Sequence, residues 1–226
     1  MASLCLVLPA LAAYELGVAL LGGDHPNAWR TGLDAWLRLG LSCFGLTDRW
    51  LPPLALVCGL LAWQAADRSR IRFPLRDLPV MILESALLAL VLVGLSRLVD
   101  TLLLHDTFAL PLQTTPIAQP ALFLGFLGAG IYEEAIFRLL LIPALIAVAR
   151  ALLVPPLLAD VLAVTGSSLL FSLAHHLGTP GEPFTWYAFL FRWSAGIYFA
   201  GVFAVRGFGL AVATHIAYDW LVAGMH

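Results

Sequence analysis

The sequence predicts an all-α membrane protein: a polytopic bundle of about seven or eight transmembrane helices around a polar intramembrane cavity. Three observations predict it. The chain of 226 residues is 61% hydrophobic and 12% charged, whereas soluble domains run at about 45–50% apolar and about 25% charged. Seven apolar stretches approach the roughly 20 residues that a helical crossing needs. Ionisable residues then enter the later stretches in pairs at helical spacing, which marks faces turned away from lipid.

The candidate spans are 3–22, 51–66, 78–98, 120–149, 157–175, 185–205 and 207–224. The first, "MASLCLVLPALAAYELGVALLGG", has no basic n-region and a long apolar run, so it reads as a span rather than a cleaved signal peptide. The stretch 32–47 carries Asp34 and Arg38 four residues apart beside Trp36, Leu37 and Leu39. It reads as an interfacial amphipathic helix in preference to an eighth span. The densest basic cluster, Arg68, Arg70, Arg72 and Arg76, lies between the second and third main spans and predicts a cytoplasmic loop. Alternation then gives a cytoplasmic N-terminus, puts the turn-rich loop 99–119 on the far side, and returns Arg150 and Arg206 to the cytoplasm.

No internal repeat or interdomain linker is evident, so residues 1–226 read as one transmembrane domain, with 1–119 as scaffold and 120–222 as the chemically active core. Glu15 and Glu84 are the exceptions within the scaffold, and the sequence gives neither a role. The net charge of -2 implies neither nucleic acid nor an acidic partner. All twelve basic residues are arginine, a bias that suggests a GC-rich bacterial genome and hence the inner membrane. Cys5, Cys43 and Cys58 are scattered and odd in number, so neither a disulfide framework nor a cysteine metal site is indicated.

Three pairs carry the chemistry. In "GIYEEAIFR", Glu134 and Arg138 are i,i+4 with the acid first, the favourable order for an ion pair on one helix face. Glu133 is rotated about 100° away. It is left without that partner, in a setting suited to a general base. Gly130, one turn earlier on the Glu133 face, allows close helix approach or room for water. In "FSLAHH", Phe171 and His175 share a face, and His175 rather than His176 points inward. In "HIAYD", His215 and Asp219 are again i,i+4 and belong in the protein interior. Together these supply a base, two imidazoles and a further carboxyl. That set serves acid–base hydrolysis with a held water, and is also a nitrogen–oxygen set for a metal, with a single zinc ion as the alternative. No HExxH or GxSxG is present, and no serine or cysteine is tied by spacing to a histidine, so zincin and covalent routes lack support.

The three stretches resemble, in order, the EExxxR, FxxxH and HxxxN/D motifs of the CAAX-protease and bacteriocin-processing family (CPBP or ABI). Each motif is short; the ordered set is specific and covers roughly residues 120–222. The resemblance implies a glutamate-dependent intramembrane endopeptidase without a cofactor, cutting near the C-terminus of a membrane-tethered protein or peptide. It implies that Glu133 and His175 activate the water and that His215 and Asp219 stabilise the oxyanion. Glu134 and Arg138 would support the site, and Phe171 would shape the substrate cavity. The family also has Asn at the last position. An ionised Asp219 cannot donate to an oxyanion, so it is expected to orient His215 instead. The carboxylate also slightly favours a metal. Membrane lipid is the second expected partner. The competing classes are a catalytically silent binding or immunity factor of the same fold, which would have no need of the full residue set, and a transporter, which would be expected to show inverted repeats.

Overall fold

The structure is a computed structural model that describes residues 2–23, 29–66, 76–103, 119–177 and 181–224. Arg68, Arg70 and Arg72 and most of the 99–119 loop, on which the expected sidedness rests, lie outside the described residues. The described chain is helical, with no strand: α1 (Ala2–Leu21), α2 (Gly32–Ser42), α3 (Leu51–Ala66), α4 (Leu78–Leu103), α5 (Gln119–Glu134), a π-helical segment (Ala135–Leu141), α6 (Ile142–Ala151), α7 (Pro156–Ala174), α8 (Trp186–Arg206) and α9 (Phe208–Gly224).

Four of these helices are long and apolar enough to cross a membrane: Ser3–Leu21, Leu78–Leu102, Pro156–Ala174 and Trp186–Arg206. No more than 33% of each span's most apolar window is buried inside the protein. Large side chains such as Leu20, Leu83, Leu157 and Val205 are left exposed. Apolar surface on that scale needs lipid rather than water, so the bundle is a membrane bundle, as composition predicts.

The other three expected spans take different forms. Residues 51–66 give a helix of 16 residues, about 24 Å long at 1.5 Å per residue, short of the roughly 30 Å hydrocarbon core. Residues 207–224 give a helix of 17 residues. The stretch 120–149 is one helical run, but α5 and α6 within it are separated by the π segment. The ambiguous stretch at 32–47 forms the 11-residue α2, too short to be an eighth span.

Helix ends follow local chemistry. Pro156 stands in the first turn of α7, where its missing N–H removes no helical hydrogen bond. The Thr185 side chain caps α8 by accepting from the Ala188 amide at 3.1 Å.

The main core lies where α1, α5 and α9 meet, with Val7, Tyr14, Val18, Ile131, Tyr132 and Val212 almost wholly enclosed. Close approach of α5 and α9 depends on Gly130. A Cβ there would sit 2.5 Å from the Ile216 side chain. The space that this glycine provides is therefore used for helix packing. That contact brings the end of α5 alongside the middle of α9, while α7 packs against α6 and α8. The polar residues of α5, α7 and α9 thereby converge.

Candidate active site

Glu133 and Glu134 are the last two residues of α5. The Glu134 carboxylate and the Arg138 guanidinium pair at 3.2 Å (Oε2 to Nε), and both are enclosed. Two buried opposite charges offset each other's desolvation only when further contacts support them. Arg138 has these: its Nη2 donates to the Gly196 carbonyl at 3.3 Å, and its guanidinium lies 4.5 Å from the centre of the Phe171 ring. This is a cation–π contact in a site shielded from solvent. The i,i+4 spacing predicts this pair, and the π segment does not disturb it.

The second oxygen of Glu134 reaches another helix. Its Oε1 accepts from His215 Nδ1 at 2.8 Å. The His215 ring is stacked on Phe199, centroids 4.6 Å apart and planes 14° apart. Its Nε2 then faces two carboxylates, Glu133 Oε2 at 3.8 Å and Asp219 Oδ2 at 3.8 Å. The expectation that Asp219 orients His215 needs correction in this respect. Asp219 stands beyond hydrogen-bond distance, and the orienting bond comes from Glu134.

His175 follows the last residue of α7, where the helix runs out of its own donors. Its backbone N–H turns to Ser172 O at 3.3 Å. Its ring Nδ1 instead satisfies the Phe171 carbonyl at 2.8 Å. A carbonyl only accepts, so Nδ1 carries the proton and the neutral ring presents a lone pair at Nε2. That Nε2 lies 3.7 Å from Glu133 Oε2. The Glu133 oxygen is buried and has no hydrogen-bond partner among the described residues. Two acceptors at this separation cannot bond to each other. A water between them can donate to both.

Phe171 is buried and packs edge-on to His175 at 4.8 Å and to Phe137 at 5.3 Å. It forms a floor beneath the imidazoles, while Phe137 is the phenyl ring that lines the adjoining cavity. That cavity has a volume of about 160 Å³, and its wall carries Glu133 and His175. Leu33 and Trp36 of α2 and Glu182, which pairs with Arg192 at 2.5 Å, line it too. The sequence gives no warning of these residues, since no spacing rule links α2 to α5. Among the described residues, no group of three or more His, Cys, Asp or Glu side chains is arranged to hold a metal ion.

The structure brings Glu133, Glu134, Arg138, Phe171, His175, His215 and Asp219 into one site. Residues 116–221, which contain all seven, match the family model described as Type II CAAX prenyl endopeptidase Rce1-like. No curated protein and no solved structure matches the chain.

Proposed function

Taking residues 116–221 as those of an Rce1-like CAAX endopeptidase, a family of peptide hydrolases, we propose that the chain is a multi-pass intramembrane protease. It hydrolyses a peptide bond near the C-terminus of a membrane-tethered protein or peptide. One observation supports this most directly: Glu133 Oε2, buried and without a hydrogen-bond partner among the described residues, faces the Nε2 lone pair of His175 across 3.7 Å at the cavity wall.

The chemistry follows from that gap. A water held by both acceptors points its own lone pair at the scissile carbonyl. As its oxygen bonds to carbon, one of its protons passes to Glu133, and the carbonyl oxygen takes up the negative charge. Donors aimed at that oxygen stabilise the transition state more than the ground state. His215 is placed for this role as the imidazolium, the form its three neighbouring carboxylates favour: Glu134 accepts from Nδ1–H, and Nε2–H is left to donate. Asp219 lies alongside as a charge partner for the ring. Collapse of the tetrahedral intermediate breaks the C–N bond. The proton on Glu133 goes to the leaving amine, the carboxylate is regenerated, and the products are a carboxylic acid and an amine. Glu134 and Arg138 act through His215 and the packing around it.

The all-arginine composition and the four crossing helices favour a bacterial inner membrane. The test uses purified wild type and Glu133→Gln with lipid-tethered C-terminal peptides, read by mass spectrometry with and without a strong chelator. Cleavage by the wild type alone, unaffected by chelator, is the expected result. Cleavage lost on chelation would replace the carboxylate–water mechanism with a metal-dependent one. Equal cleavage by both proteins would remove Glu133 as the base. No cleavage by either would turn the reading towards a silent binding factor of the same fold.

A further inference from the structure

The paired and aromatic side chains around Glu133 come from α5, the π segment, α7, α8 and α9, but the cavity has a wall from outside the matched segment. Leu33 and Trp36, three residues apart on α2, line the same space as Glu133 and His175. On another face of that short helix, Asp34 is fully buried. It accepts from Arg30 Nη1 at 2.7 Å, from Arg38 Nε at 2.7 Å and from the Tyr14 hydroxyl at 2.9 Å. Both guanidiniums also reach Glu15 of α1, at 3.0 Å and 3.1 Å. Glu15 in turn accepts from the Tyr132 hydroxyl of α5 at 2.6 Å. The packing is close as well: a Cβ on Gly128 of α5 would sit 2.4 Å from the Tyr14 ring and 2.7 Å from Thr31.

An isolated helix of 11 residues is marginal, and a surface helix needs only an apolar stripe to attach. Two carboxylates and two guanidiniums fix α2 in position and orientation instead. The side chains that this arrangement holds in the wall of the cavity Glu133 lines are an indole and an isobutyl group. Phe137 and Leu177 continue the same apolar surface.

We infer that α2 is part of the substrate-binding site, with Trp36 and Leu33 forming a specificity wall that receives a bulky apolar side chain next to the scissile bond. The inference rests on the endopeptidase reading for its cleavage arm and on binding alone for a second arm. The probe is a set of lipid-tethered peptides varied near the C-terminus among Ala, Leu, Phe and Asp. In the first arm, wild type, Trp36→Phe and Trp36→Ala are compared by kcat/KM on each peptide. Wild type and Trp36→Phe are expected to prefer Leu or Phe over Ala. Trp36→Ala is expected to lose that preference about tenfold or more, through KM. An equal loss on every peptide overturns the inference, because a purely structural helix would act uniformly.

In the second arm, a photocrosslinking residue replaces Trp36 in the Glu133→Gln background, with Leu157, exposed at the far end of α7, as the control position. Selective adducts of Leu and Phe peptides at position 36 support the wall. Adducts no more selective than those at position 157 overturn it. Selective adducts from a protein whose wild type cuts nothing retain the wall and remove the protease reading, so the two failures are distinguishable.

Discussion

The molecule contains two buried clusters of charge, and they are built to opposite ends. Around Asp34, two carboxylates, two guanidiniums and two tyrosine hydroxyls close on one another through hydrogen bonds of 2.6–3.3 Å. Neither carboxylate keeps a buried oxygen without a partner. Around Glu133, Glu134 and Arg138 are paired, but Glu133 Oε2 faces His175 and His215 at 3.7 Å and 3.8 Å with no hydrogen bond to either. Burying a polar atom unpaired costs free energy, and a network is most stable when every member is satisfied. The satisfied cluster therefore holds the fold, and the open one leaves Glu133 Oε2 available to a further partner. Both clusters bury charge; the degree of satisfaction separates them.

Substitutions can break this contrast or sharpen it. The largest expected effect is on activity: Glu133→Gln lowers kcat by about 10²–10⁴-fold, the usual contribution of a general base. It leaves denaturant resistance in detergent unchanged, since Glu133 holds no partner in place. Peptide cleavage and a denaturation curve on one preparation check both halves. Asp34→Ala should do the reverse. It leaves two guanidiniums to share Glu15 alone and costs about 3–5 kcal/mol of stability, as breaking a buried ion pair does, measured as a shift of the unfolding midpoint. If Asp34→Ala left the midpoint unmoved, the clasp would not be structural. His215→Phe keeps the ring on Phe199 and removes the proposed oxyanion donor. Its kcat should fall about 10²–10³-fold with KM little changed, as steady-state kinetics would show.

The smallest effect belongs to Tyr132→Phe, at the residue that adjoins Glu133 but bonds into the other cluster. Losing its bond to the Glu15 carboxylate should cost about 1.5–3 kcal/mol, while cleavage per folded molecule stays within about threefold. A much larger loss of cleavage would join the two clusters into one functional unit.

The sequence made legible whatever lies within one helix. Glu134 with Arg138, Phe171 with His175, and His215 with Asp219 share faces because the helical period puts i and i+4 together, and their apolar flanks marked the helices. Contacts across helices were hidden. The bond from Glu134 to His215 spans 81 residues. Spacing alone therefore suggested Asp219 as the orienting partner, the acid one turn away. Glu15, without a role in the sequence, finds its partners in Arg30, Arg38 and Tyr132 across three segments. The division of 120–149 was invisible for another reason: a π segment changes the hydrogen-bond register of a helix and leaves its apolar run intact.

That π segment, Ala135–Leu141, begins one residue after Glu134. Upstream, α5 answers to α1 and α9; downstream, α6 answers to α7. A rigid α-helix would link the two fits, so that turning one end to suit its neighbours would turn the other. The wider turn acts as a splice with slack of about one residue, letting each half settle separately. Removing one residue from the segment would take up that slack and swing Glu133 about 100° around the axis relative to α6, carrying it away from His175.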